Sequence, residues 1–182
     1  MKNELFYLID KLQKNSSLTE HEYEKLISNY DSSLASYAAE KARLACNEHY
    51  GKDIYIRGLI EISNYCKNDC YYCGIRKSNR NCIRYRLTKD ELLECCKEGY
   101  DLGFRTFVLQ GGEDGHYTDE LLCDIIRTIK ADYPDCAITL SLGERSYDSY
   151  KMLWNAGADR YLLRHETANE NHYQKLHPNS RI

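Results

Sequence analysis

The sequence predicts an α/β fold in which N-terminal helices precede a parallel sheet. Apolar residues at helical spacing fill the chain up to Gly51, where the rhythm changes to the two-residue alternation of a strand. From there strand-like and helix-like runs take turns along the chain, separated by helix start and stop signals.

Leu5, Leu8, Ile9 and Leu12 recur on one helical face, and Thr19 with Glu22 forms a capping box for a second helix. A third helix is expected from about Ser33 to Tyr50, stopped by Gly51. The first strand is expected where Ile54, Ile56, Gly58, Ile60 and Ile62 alternate with Tyr55, Arg57, Leu59 and Glu61. Thr88 and Glu91 open a helix that Gly103 stops, and the apolar run Thr106–Leu109 follows as a strand. A helix carrying Leu121, Leu122, Ile125, Ile126 and Ile129 precedes a strand from Ala137 to Leu142, and a helix closed by Gly157 precedes a strand from Arg160 to Leu163.

About four parallel βα units follow a helical segment at 1–51 and fill 52–182, and because no linker-like or low-complexity stretch interrupts the chain, one domain is expected. Crossover connections place the carboxyl ends of such strands on one rim, where α/β enzymes gather functional groups. With 182 residues the chain is short for a complete (β/α)8 barrel of ~250 residues and corresponds to its first half.

A net charge of −3 with interspersed signs argues against a nucleic-acid partner. The run after Met1 lacks the apolar core of a signal peptide, and no stretch has the length and apolarity of a membrane span, so the expected location is cytoplasmic. Nine cysteines in a reducing compartment point to metal chemistry more than to disulfides.

Cys66, Cys70 and Cys73 stand on the loop after the first strand. Three thiolates can hold three irons of a [4Fe–4S] cluster and leave the fourth iron open to a small molecule, whereas structural zinc is closed by four ligands. The competing reading is a zinc knuckle completed by Cys82 or a histidine. Cys46, Cys95, Cys96, Cys123 and Cys136 read as small buried hydrophobes. Gln110-Gly111-Gly112-Glu113-Asp114 follows the second strand, where the glycines admit close backbone approach and Glu113 can accept from an ammonium group. On the fourth strand Arg160, Leu162, Arg164 and Glu166 share a face expected to point inward, as an ion-pair cluster or an anion site. Thr139 and Ser141, followed by Gly143-Glu144, offer hydroxyls that rank below those arginines.

The Cys-x3-Cys-x2-Cys spacing, with Tyr72 before the last cysteine, resembles the signature of the radical SAM superfamily. That resemblance implies a TIM-type barrel, here its first half, and two cofactors, a [4Fe–4S] cluster and S-adenosylmethionine. In the family the open iron is chelated by S-adenosylmethionine, which is reductively cleaved to methionine and a 5′-deoxyadenosyl radical. The Gly-Gly-Glu stretch resembles the family's motif for the amino group of S-adenosylmethionine.

Arg57–Asn64, Tyr72–Arg76, Arg84–Thr88, Ser141–Glu144 and Ala156–Asn169 are further similar to the HydE-type maturases of [FeFe]-hydrogenase. This implies an enzyme of anaerobes acting with other hydrogenase maturases on an organometallic substrate, with a reductant such as ferredoxin or flavodoxin. By the same resemblance Cys66, Cys70 and Cys73 hold the cluster, Tyr72 and Gln110 to Glu113 belong to the cofactor site, Glu166 takes the ribose and Arg164 an anion. The runner-up is a biotin synthase or methylornithine synthase type. Because family members close the barrel with further units, unpaired edges on the first and fourth strands are expected, favouring aggregation or pairing with another chain. A truncated, inactive product therefore stands as the non-enzymatic alternative.

Overall fold

The computed structural model describes residues 2–178, so the readings at Met1 and at the stop at Ile182 lie outside the described residues. The chain divides after Tyr55 into two compact units.

The first unit holds α1 (Lys2–Asn15), α2 (Glu20–Ser28) and α3 (Ser32–Tyr50). Leu5, Leu8 and Ile9 of α1 bury against Leu34 of α3, and the Phe6 and Tyr37 rings meet edge to face at 4.8 Å. The Thr19–Glu22 capping box is formed in both directions, and α3 ends at Gly51 as the stop signal predicts.

The second unit alternates β1 (Gly58–Ser63), α4 (Lys89–Asp101), β2 (Thr106–Gly111), α5 (Asp119–Asp132), β3 (Ala137–Ser141), α6 (Tyr147–Ala156), β4 (Arg160–Tyr161) and α7 (Glu170–Leu176). The sheet order is β1-β2-β3-β4 and every pairing is parallel. Register places Ile60, Leu109, Leu140 and Tyr161 in one row, and the first three are buried in the core that the apolar faces of α4, α5 and α6 complete. The opposite face carries the polar row Glu61, Gln110 and Ser141. The apolar face is the one the helices cover, as on the outside of a βα barrel, and the polar row lies on the uncovered face.

Four expectations are corrected. β1 starts at Gly58 rather than at Ile54, because β2 begins at Thr106 and offers no partner to the preceding residues; Ile54 is 89% exposed despite its alternating pattern. β4 keeps two residues of the expected four: it pairs only with Thr139 and Leu140, the last ladder-like bond is Leu162 N to Leu140 O at 2.8 Å, and β3 then gives out toward the Gly143 turn. Gln110 and Gly111 belong to β2 itself rather than to the turn after it. Cys46 and Cys95 are exposed on outward helix faces, while Cys96, Cys123 and Cys136 are buried as expected. The helix α7 carries no apolar periodicity that would have announced it; its one legible signal is the cap at Asn169, whose side chain accepts from His172 N at 2.9 Å. Among the described residues no helix is long and apolar enough to cross a membrane.

Candidate cofactor site

The segment between β1 and α4 leaves the carboxyl end of the sheet and returns to it. Leu87 N donates to Ile62 O at 2.8 Å, and the buried Tyr117 hydroxyl is shared between the carbonyls of Ile62 and Leu87 at 2.7 Å each. Burial pushes that phenol up to about 12, so it stays a donor.

Within this excursion the cysteine loop is shaped by its own backbone and by one arginine. Cys73 N donates to Cys70 O at 3.0 Å, and Lys77 N to Asn68 O at 2.8 Å. The Arg84 guanidinium donates to the carbonyls of Ile75 at 2.8 Å, Arg76 at 2.7 Å and Asn79 at 3.2 Å, and also to that of Asn64. Only a planar fork of fixed donors can satisfy so many loop carbonyls at once.

A second network fastens this loop to the turn after β2. Asp114, whose side chain is 4% exposed, receives Arg86 through both oxygens at 2.7 and 2.9 Å, Ser63 Oγ at 2.7 Å and His116 N at 3.1 Å. Ser63 Oγ in turn accepts from Tyr65 N at 3.0 Å, and the Arg86 guanidinium lies 4.0 Å from the centre of the Tyr65 ring. Burial alone raises the Asp114 carboxyl, but Arg86, Ser63 and the His116 amide outweigh it and hold the group at about 2.

Gly112 is where the two loops touch: a Cβ there would stand 2.3 Å from Tyr65 O and 2.7 Å from Cys66 Cβ. Lys67 N donates to Glu113 O at 3.0 Å, and the Lys67 ammonium lies 2.8 Å from Glu113 Oε2. Gly143, at φ +76°, makes room for that carboxylate, since a Cβ there would come within 2.0 Å of Glu113 Cγ. The sequence reading singled out neither Lys67 nor the Asp114 network, because both are contacts across long sequence separations.

These loops enclose an open cavity of ≈ 370 Å³ at the carboxyl rim. Cys66, Cys70, Cys73, Tyr72, Gly111, Gly112, Glu113, Arg164 and Glu166 all line it, together with Ser141, Gly143 and Glu144. Gln110 does not; its Oε1 instead accepts from Arg164 Nη2 at 2.7 Å, and its Nε2 reaches Glu61 Oε1 at 3.4 Å. The expected common face of Arg160, Leu162, Arg164 and Glu166 is only partly present. Because β4 ends at Tyr161, the alternation lapses: both Leu162 and Leu163 line the cavity, and Arg160 does not. Glu166 sits in a tight turn at φ 60°, closed by Thr167 N donating to His165 O at 2.6 Å, a conformation that costs ~1–3 kcal/mol in a non-glycine residue. Thr139 Oγ1, one row below Ser141, is buried with no hydrogen-bond partner among the described residues.

α7 supplies a wall of the cavity that the sequence reading missed, formed by Tyr173 and His177. Tyr71 N donates to Leu176 O at 3.0 Å, and the Tyr72 hydroxyl lies 2.7 Å from His177 Nε2. Burial pushes both the Tyr72 phenol and the Cys70 thiol up, with the Tyr72 hydroxyl opposing the shift at Cys70.

Three thiols on one cavity are a donor set that fits a multi-iron cluster. The thiols of Cys66, Cys70 and Cys73 line one cavity, and thiolates that each bind a different iron do not have to meet at a point. Cys82 is outside that cavity and turns its thiol to Ile83 O, and both ring nitrogens of His177 are engaged, so neither offers a fourth ligand as the fold stands.

A parallel half-barrel with a three-cysteine loop on its carboxyl rim defines a class, and the sequence comparison agrees: the chain belongs to the Radical SAM superfamily, whose profile matches residues 60–181. Enzymes of this family use a [4Fe–4S] cluster and S-adenosylmethionine. More particularly, the chain is similar to the [FeFe] hydrogenase maturase subunit HydE of Thermotoga maritima, 39% identical over 95% of this chain and 49% of that protein. Among solved structures it resembles HydG, a maturase of the [FeFe]-hydrogenase, with a TM-score of 0.86 and 26% identity over 99% of this chain and 41% of the other. It likewise resembles methylornithine synthase, with a TM-score of 0.81 and 27% identity over 96% of this chain and 52% of the other. The fold matches the first half of the barrel in these structures. The chain spans about half the length of the HydE relative.

Proposed function

We propose that this chain carries the cofactor-binding half of a radical SAM enzyme that acts in maturation of the [FeFe]-hydrogenase active site. The observation that carries the reading is the meeting of three thiols and the Gly111-Gly112-Glu113 turn around one cavity at the carboxyl rim.

In this reading Cys66, Cys70 and Cys73 hold the [4Fe–4S] cluster. The chemistry the bound cluster supplies is one-electron reduction of the sulfonium of S-adenosylmethionine. Glu113 and the carbonyls around Gly112 accept from the ammonium end of S-adenosylmethionine, and Lys67 yields that carboxylate when the ligand arrives. Glu166 takes the ribose hydroxyls, and Tyr72 closes the side next to Cys73. Arg164, steadied by Gln110, faces an anionic group in the barrel. The substrate is small or organometallic, the electron comes from a ferredoxin or flavodoxin, other hydrogenase maturases are partners, and the setting is the cytoplasm. The identity to HydE over 95% of the chain favours this assignment over a biotin synthase or methylornithine synthase type.

Anaerobic reconstitution with iron and sulfide, followed by EPR of the reduced protein with and without S-adenosylmethionine, tests the reading. A cluster signal that changes with S-adenosylmethionine supports it. A tetrahedral ion with no labile sulfide sinks it in favour of a zinc module, and a cluster indifferent to S-adenosylmethionine sinks the open-iron assignment.

A further inference from the structure

The cysteine loop is fastened from the far side by a residue that no motif announces. His177 is 6% exposed, and its ring stacks on Tyr173 at 4.0 Å with an interplanar angle of 23°. Its Nδ1 lies 2.9 Å from Tyr173 O. A carbonyl can only accept, so Nδ1 carries a proton, and in the neutral ring Nε2 is then left to accept from the Tyr72 hydroxyl at 2.7 Å. Stacking and the Nδ1 bond thus fix the ring before Tyr72 meets it. The adjacent backbone bond from Tyr71 N to Leu176 O, 3.0 Å, ties the same two segments.

We infer that His177 is a positioning residue: its imidazole clasps the Tyr72 hydroxyl and holds the cysteine loop against α7 in the protein without cofactor, so that Cys70 and Cys73 are presented in place before iron arrives. Tyr72 lies between these two cysteines in sequence, so a fixed phenol restricts both. The clasp joins two segments 105 residues apart in sequence, and neither residue belongs to the sheet's ladders, so its loss leaves those ladders untouched. Pre-ordering of this kind lowers the entropy cost of assembling a ligand set.

The inference deepens the cofactor reading of the same site, but it is tested on iron-free protein, so the two fail separately. Timed alkylation of the full chain by iodoacetamide, resolved by peptide mass spectrometry, reports each thiol; exposed Cys46 and Cys95 serve as references and buried Cys123 reports global opening. His177→Leu removes the acceptor of the Tyr72 hydroxyl, and Tyr72→Phe leaves the buried imidazole without its donor. Each should speed alkylation of Cys70 and Cys73 roughly tenfold without changing the references or Cys123. The double variant Y72F/H177L deletes a contact that either single variant already breaks, so its rates at Cys70 and Cys73 should match those of the single variants rather than multiply their effects. Should His177→Leu fail to fold, Tyr72→Phe read at Cys73, away from the direct contact of the Tyr72 hydroxyl with Cys70, still tests the clasp. Unchanged rates at Cys70 and Cys73, a parallel rise at Cys123, or a double variant whose acceleration is the product of the two single effects would each overturn the inference.

Discussion

Asp114 shows how one residue can hold two loops. Its carboxyl is kept at about 2 against a reference of 3.8, so the folded state has the lower value. The stability this confers is complete above the reference value and is lost as pH falls from 3.8 toward 2. A shift of that size corresponds to ~2 kcal/mol for so buried a carboxylate. Asp114→Asn should therefore lower the urea midpoint at neutral pH and flatten the acid limb of the stability profile; an unchanged acid limb would show that Arg86 and Ser63 contribute nothing there. Gly112 acts through volume. Gly112→Ala drives a Cβ into the Tyr65 carbonyl and Cys66, and since the obstacle is backbone, the turn must move away from the cysteine loop. The expected cost in stability is ~1–3 kcal/mol. Iron bound per chain after reconstitution should fall severalfold, and wild-type iron content would refute the argument.

At the scale of elements, the cysteine loop has no helix or strand to give it shape, and Arg84 replaces them with donors to four carbonyls. Arg84→Ala leaves those acceptors to solvent and should expose residues 64–84 to proteolysis while β1 to β3 keep their hydrogen-exchange protection. Arg84→Lys should not restore protection, because an ammonium cannot fork to four carbonyls in that arrangement. If Arg84→Lys protects the loop as well as arginine does, charge rather than geometry is responsible. Most elements were legible in the chain. The capping boxes at Thr19 and Thr88 and the stops at Gly51 and Gly157 are local chemistry, and they stand where the pattern puts them. β1 and β4 were misjudged because strand length is set by a neighbour, and alternation continues whether or not a partner is present.

For the whole molecule, residues 53–57 join two compact units through an irregular stretch in which Ile54, Tyr55 and Ile56 are exposed. We propose that the units are domains. Limited chymotryptic digestion should then cut first after Tyr55 and leave a resistant fragment of the βα units. Early cleavage inside α4 to α6 instead would contradict that division.

The chain by itself determined the α/β class, the order of helices and strands from α1 to β4, the three cysteines after β1 and the glycine pair where β2 ends, because each depends on periodicity, caps or spacing within a short window. Only the tertiary structure decided that Gln110 stands behind Arg164 rather than in the cavity, that Arg160 is turned away from it, that Asp114 bolts the turn to the loop, and that α7 brings His177 to Tyr72. Those contacts join residues 28 to 105 positions apart, and their partners are chosen by how the sheet's rim brings loops together rather than by any local preference of the residues themselves.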